Sequence, residues 1–511
     1  SPQLPLICTG MAPSSGIHSR RIVTCSVFSV FIDKRDRHKT DPDKEDNKMK
    51  DLKKFKAMIC ALTAAAISTA TACGSTDSGI SQAQDHEEQA FSSENSTVTD
   101  KGGNTSEIED SNTEPLPPTE TKQKIDFLIA SADFSAELFK LSAKEGGNVL
   151  VSPESVFFAL AMTSNGADGD TLKEMKNVLF PDTSIEDFNS SMKELIEESE
   201  LSGSLKFSIA NSIWTRDGIP VNDSFADKVK EMYDADVRTE SFDLETLDII
   251  NGWVSEKTDG MIPYIINDIS EDDVMYLINA ICFEGEWGKQ YSEGQINENG
   301  EFTNSFNEPE TVTMLTSSED YYLSDERATG FIKPYKGGKY AFMAVLPNED
   351  VTLDEYVSSL SGDDILNLYK KRAEKKVITT MPEFQTDYSA AMKNSLEKLG
   401  ITSAFSPSAA DFSEMINTEE LGENVYISEV IHKTHIEVDR NGTKAAAATA
   451  TRTKAAGAFS DDEEPKEVIL DRPFMYAIIN TETGLPMFLG TLSSVAVSYT
   501  HLRAHETRRH L

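Results

Sequence analysis

The chain predicts an α+β fold in which helices and strands mix without βαβ regularity. Three stretches carry that reading. Residues 124–143 place Ile125, Leu128, Ile129, Phe134, Leu138 and Phe139 at helical spacing. Residues 274–287, VMYLINAICFEGEW, make a long, apolar, β-prone run that reads as a buried strand. Residues 425–439, VYISEVIHKTHIEVD, alternate over a span long for a strand.

The remaining elements follow in order. NVLVSP (148–153) is a short strand ended by proline. Ser152-Pro153-Glu154 then opens a helix, with serine as N-cap and proline in the first turn. SLKFSIANSIW (204–214) alternates like a strand, and KYAFMAVLP (339–347) is another strand. Residues 123–495 form one continuous folded region with no linker-like gap. Directly after the alternating strand comes GTKAAAATATRTKAAGAF (442–459), a long run with almost no large apolar side chains. Alanine alone favours helix, and such a run can also be a linker. A linker does not normally continue a long alternating strand, however, and threonine at every second position favours β structure.

The formal net charge of −38 favours solubility and argues against a nucleic-acid partner. Apolar residues make up 39 %, enough for a sizeable core. The five cysteines, Cys8, Cys25, Cys60, Cys73 and Cys282, show no paired framework and no CxxC, so neither a disulfide nor zinc is expected.

Both ends differ from the body. Residues 1–48 read poorly as a domain, and Met49 is the expected start, with residues 1–48 outside the native protein. Lys50, Lys53, Lys54 and Lys56 then precede a short apolar run, the pattern of a secretory signal over 49–72. Ala70 and Ala72 precede Cys73, an arrangement that resembles the bacterial lipobox, although the usual leucine is alanine at position 70. Cleavage would free Cys73 to carry lipid, and the protein is expected to be extracellular or at the cell surface. Residues 73–122, rich in Ser, Thr, Glu, Asp, Gly and Pro, read as a disordered stalk on that anchor. The basic tail 496–511 holds three of the eight histidines and resembles read-through of a cloning or sequencing adaptor; it is expected to be non-native.

The body lacks G-x-S-x-G, H-E-x-x-H, P-loop and GxGxxG motifs. It contains only His432 and His435, three apart on one strand and therefore on opposite faces. Neither has a nucleophile partner in the sequence, so a Ser-His-Asp hydrolase is not expected.

Several segments together resemble one family. NVLVSPESVFFALAM, ANSIW, NGWVSEKTDGMI, LINAICFEGEW, MPEF, LEKLGITSAF with ADFS, VIHKTHIEVDRNGTKAAAATA, and DRPFMYAI followed by GLPMFLG occur in the order and spacing of a serpin. The resemblance is to bacterial inhibitory serpins and spans almost all of residues 123–495. It implies three β-sheets with about nine helices and an exposed reactive-centre loop at 440–459. It further implies a suicide inhibitor with no catalytic group, no cofactor and no metal, most simply a monomer. Its partner would be a target serine protease held as a covalent acyl-enzyme, and only the lipid would touch a membrane.

The implied loop can be read residue by residue. After cleavage, residues 443–455 would enter the middle of a sheet, where alternate residues face opposite sides. Thr443, Ala445, Ala447, Thr449 and Thr451 would turn inward, where bulk or charge would overpack. Lys444, Ala446, Ala448, Ala450 and Arg452 would turn outward. Gly442 supplies the joint, and the run has no proline to interrupt a ladder. Family spacing puts the reactive bond at Ala456–Gly457. Ala455, Ala456 and Gly457 suit the shallow pocket of elastase-like or subtilisin-like proteases. The alternatives are trypsin-like targets that use Lys454 or Arg452, or a non-inhibitory serpin. Ser152, Ser155, Asn279 and His432 match the polar cluster beneath the opening of the central sheet, and Trp287 matches the aromatic where insertion begins. Arg440-Asn441 departs from the family's two acidic residues and bears on the salt bridge that helps set when insertion starts.

Overall fold

The computed structural model describes residues 22–34 and 118–496, apart from 145, 182, 201–205, 271 and 441–463. The sequence-predicted elements appear close to their expected places. The first helix of the body spans Pro118–Ala143. The short strand is Val149–Val151 and the next helix Pro153–Ser164. Ser152 caps that helix, its side chain accepting from the Ser155 N–H, and Pro153 stands in the first turn, where no backbone donor is needed.

Two sets of strands enclose this helix. The first is a six-stranded sheet, ordered β11-β12-β1-β5-β3-β4. Its members are β1 (Ile22–Lys34), β3 (Lys206–Arg216), β4 (Ala235–Glu240), β5 (Asp273–Gly285), β11 (Phe384–Ala391) and β12 (Val425–Val438). The second is a nine-stranded set, ordered β13-β10-β7-β8-β9-β14-β15-β2, with β6 beside β7. It comprises β2 (Val149–Val151), β6 (Ile296–Thr303), β7 (Pro309–Ser324), β8 (Ala328–Pro334), β9 (Tyr340–Pro347), β10 (Ala373–Pro382), β13 (Lys466–Ile469), β14 (Phe474–Asn480) and β15 (Pro486–Leu492). Two of the three expected sheets are joined in this set by the long β7. Its first residues, 309–315, pair with β6, residues 314–322 pair with β10, and the last, 321–324, pair with β8.

The helix Pro153–Ser164 packs on β5 and β1 from below and on β15 from above. Being covered on both sides, it is apolar nearly all round: Val156, Phe157, Phe158, Leu160 and Met162 are all buried. The opposite face of the six-stranded sheet carries a second apolar cluster. There Ile250, Trp253 and Val254 of the helix Leu244–Lys257 meet Trp214, Tyr276 and Ile278. Strand β5 is therefore buried on both faces, which is why its sequence is continuously apolar rather than alternating.

Two findings were not foreseen. Ile22–Lys34, in the leading segment set apart from the domain by composition, is a 13-residue strand at the centre of the six-stranded sheet. It runs antiparallel to both neighbours, from Val23 opposite Glu437 to Lys34 opposite Val425 on β12, and from Ile22 opposite Gly285 on β5. Second, Cys282 is disulfide-bonded, which corrects the expectation of no disulfide. Local spacing motifs cannot reveal cysteines that a sheet brings together from distant parts of the chain.

Candidate functional site

The polar residues singled out from the sequence lie under the centre of the six-stranded sheet. Ser155 Oγ donates to Asn279 Oδ1 at 2.6 Å. Asn279 Nδ2 donates to Asn211 Oδ1 at 2.9 Å, and Asn211 Nδ2 to the Tyr233 carbonyl at 2.6 Å. On the other side of β1, the Ser152 N–H donates to His432 Nε2 at 3.1 Å. Thr434 Oγ1 reaches the Leu150 carbonyl at 2.7 Å. The Asn279–Asn211 bond joins β5 to β3 within the sheet, and the other links tie a sheet strand to the layer beneath it, so directional bonds hold the sheet at its midpoint. Phe28 of β1 stands opposite both Asn279 and His432 in the ladder. The two residues therefore belong to one layer but sit on strands that β1 separates.

The acceptor role of His432 Nε2 requires a neutral ring in a particular tautomer. Burial enforces neutrality: the imidazole is fully enclosed and its pKa is pushed down to about 3. His435, on the other face as alternation predicts, has Nδ1 2.7 Å from Asp387 Oδ1. Asn211 and Thr434 were not singled out from the sequence, because a strand polar residue pointing inward looks the same in one dimension as one facing solvent.

A second group gathers where β12 ends and residues 441–463 begin. Trp287 Nε1 donates to the Asp439 carbonyl at 3.1 Å. Its indole stacks on Tyr335, with centroids 4.9 Å apart and planes 6° apart. Lys333 lies 5.2 Å from the Trp287 ring centroid and 4.4 Å from that of Tyr291. Its Nζ pairs with Glu319 at 2.6 Å, both side chains being 1 % exposed. Burial lowers the Lys333 pKa while Glu319 opposes the shift. A charge so placed is tolerable only because the carboxylate and two aromatic faces replace its water.

Arg440 resolves the departure noted in the sequence. Nε and Nη2 of Arg440 donate to the two oxygens of Glu383 at 2.8 and 3.0 Å, and the Arg440 N–H also donates to Oε1 at 2.8 Å. Glu298 adds a contact at 3.5 Å. An ion pair is therefore present here, with its positive member just beyond β12 and its negative member just before β11. Glu383 raises the already high Arg440 pKa.

Gly442, Thr443, Lys444, Ala445, Ala446, Ala447, Ala448, Thr449, Arg452, Lys454, Ala456 and Gly457 lie outside the described residues, as does Cys73.

The comparisons agree with this architecture. The family model described as Serpin (serine protease inhibitor) matches residues 129–495, and the chain belongs to that family. An uncharacterized serpin-like protein of Thermococcus kodakarensis is 30 % identical over 365 residues, covering 70 % of this chain and 83 % of its own. The leukocyte elastase inhibitor of Xenopus tropicalis is 30 % identical over 382 residues, covering 71 % and 98 %. Among solved structures, the thermophilic serpin tengpin in its native state is 39 % identical, with a TM-score of 0.65, covering 72 % of this chain and 94 % of tengpin. Tengpin in its latent state is 35 % identical, with a TM-score of 0.62.

Proposed function

We propose that the chain is a suicide inhibitor of extracellular serine proteases, elastase-like or subtilisin-like, that uses Ala456–Gly457 as bait. The target serine attacks the Ala456 carbonyl, the amine of Gly457 leaves, and an acyl-enzyme forms. Residues 443–455 then insert between β5 and β12 and carry the protease with them before water can deacylate it. One observation carries this reading: the sheet accepts a 13-residue strand between β5 and β12, antiparallel to both. A loop that leaves β12 and reverses at Gly442 runs in that same direction, and residues 443–455 are equal in number. The small side chains of the run support the reading, because they can enter a packed layer without overpacking. The leukocyte elastase inhibitor among the relatives agrees with a small-residue bait.

On this proposal the mature protein starts at Cys73, is lipid-anchored outside the cell after a signal at 49–72, and acts as a monomer. The test is to incubate residues 123–495 with an elastase-like and, separately, a trypsin-like protease, followed by denaturing electrophoresis. A stable complex with the elastase-like enzyme is expected. Complex with the trypsin-like enzyme alone would move the bait to Lys454 or Arg452, and clean cleavage of both with no complex would refute inhibition of these two classes.

A further inference from the structure

The slot between β5 and β12 is already filled by the chain's own Ile22–Lys34. We propose that this segment is a plug that competes with residues 443–455 for the slot, fastened by a disulfide between Cys25 and Cys282, so that the full chain is a redox-gated inhibitor. The consequence for inhibition rests on the loop-insertion reading; the plug itself rests on the sheet.

Competition follows from geometry. Strands in a sheet lie about 4.8 Å apart, so a single slot holds one strand. Strand β1 uses the ladder groups of β12 from Val425 to Glu437 and those of β5 from Asp273 to Gly285. An inserting loop would need the same groups.

The side chains make β1 a strong occupant. Val30 and Ile32 are fully buried in the main core. Phe31, on the alternate face, meets Tyr276 edge-on at 4.7 Å within the cluster under the helix Leu244–Lys257. The loop offers only alanine and threonine at the inward-facing positions of 443–455. Per residue it buries less apolar surface and gains less by entering.

The fastening follows from register. Cys25 stands directly across from Cys282 in the β1–β5 ladder. Cα atoms of directly opposed residues in an antiparallel pair lie roughly 4.5–5.5 Å apart, inside the span a disulfide bridges. Cys282 is disulfide-bonded and almost fully buried. The other cysteines, Cys8, Cys60 and Cys73, lie outside the described residues.

Release is a thiol–disulfide exchange with a dithiol. One thiolate of the dithiol attacks a sulfur of the pair and forms a mixed disulfide, expelling the other cysteine as thiolate. The second thiol of the dithiol then displaces the first cysteine. Cys25 and Cys282 together take up two electrons and two protons, and the dithiol leaves as its own disulfide. A chain that starts at Met49, or is cleaved before Cys73 as in the proposed mature form, lacks residues 22–34 and with them the plug, so the gate acts on the unprocessed chain.

The experiment uses the full 511-residue chain, oxidised and purified. Non-reducing peptide mapping should find Cys25 linked to Cys282; linkage of Cys282 to Cys8, Cys60 or Cys73 overturns the fastening. The loop is then cut by an elastase-like protease and the melting temperature measured before and after. The oxidised chain should gain almost nothing. The combined variant Cys25→Ser, Val30→Asp, Ile32→Asp should gain roughly ten degrees or more, and so should the wild-type chain cut in the presence of dithiothreitol. An equal gain in the oxidised wild type overturns the plug. A gain in the variant but none with dithiothreitol overturns the redox gate. Hydrogen exchange keeps the two readings apart. Protected amides at 22–34 with no gain in any sample would show that the loop does not insert, which overturns the competition and the inhibitory reading together. Unprotected amides there overturn the plug alone. Should the combined variant fail to fold, Val27→Pro removes a ladder donor at the centre of β1 and should eject the strand by itself.

Discussion

Replacing Arg440 should loosen the chain just beyond the end of β12, where residues 441–463 begin. The guanidinium makes a two-pronged contact with Glu383 at 2.8 and 3.0 Å, with side chains 29 % and 21 % exposed. A charge-assisted hydrogen bond contributes about 1.5–3 kcal/mol when well shielded, and an exposed ion pair about 0–1 kcal/mol. A partly shielded bidentate pair falls between, so Arg440→Ala should cost about 1–2 kcal/mol, a factor of roughly 5 to 30 in the local opening equilibrium. The alanine variant keeps the backbone N–H bond to Glu383, which limits the loss to the side-chain part. The assay is amide hydrogen exchange in peptides covering residues 434–440, where exchange should quicken by that factor while the β9 and β14 amides stay unchanged. Arg440→Glu should be worse, since it sets two carboxylates against each other. Arg440→Glu combined with Glu383→Lys should recover most of the protection. Equal exchange in the charge-reversed single and the doubly exchanged variant would refute the reasoning, because the coupling would then not be electrostatic.

Three further outcomes are expected. His432 has a folded-state pKa of about 3 against an ordinary 6.5, so the unfolded chain binds its proton first. Its contribution is fully present above pH 6.5 and is lost as pH falls toward 3, at up to about 1.4 kcal/mol per pH unit; His432→Asn should flatten that limb of a stability–pH curve. Glu154 runs the other way. Its carboxyl has an enclosed oxygen without a hydrogen-bond partner among the described residues, and burial raises its pKa from 4.5 to about 8. Its contribution is fully present below pH 4.5 and is lost as pH rises through 8, so Glu154→Gln should be the more heat-resistant protein at pH 8 and differ little at pH 4. Finally, on the proposed function Thr449→Arg would put a charge on the inward face of the inserting strand; the loop should still be cut, but covalent complex should fall by about tenfold or more, as read from gel densities.

How much was legible in the sequence differs by kind of feature. Strands β5, β9 and β12 could be read because burial on two faces or one leaves a continuous or alternating apolar record. Ser152 and Pro153 announced a helix start because capping is a local interaction. The polar layer was found only through family resemblance, and its extension to Asn211 and Thr434 needed the sheet register. Strand β1 was missed because its composition set it with the leading segment, and a strand's partners are not encoded near it. The buried Lys333–Glu319 pair had no signal at all, since a lysine in a strand normally marks a solvated position. Arg440 was noticed as an oddity, but its partner, Glu383, is distant in the chain and close only in the fold.

On the proposed function, the loop is cut and then traps what cut it. The most direct measurement is the intact mass, under denaturing conditions, of the product formed by residues 123–495 and an elastase-like protease. A species equal to the protease plus residues 123–456, less one water for the acyl bond, is expected, together with a released fragment that begins at Gly457. Two chain fragments of ordinary hydrolysis beside fully active, unmodified protease would contradict it.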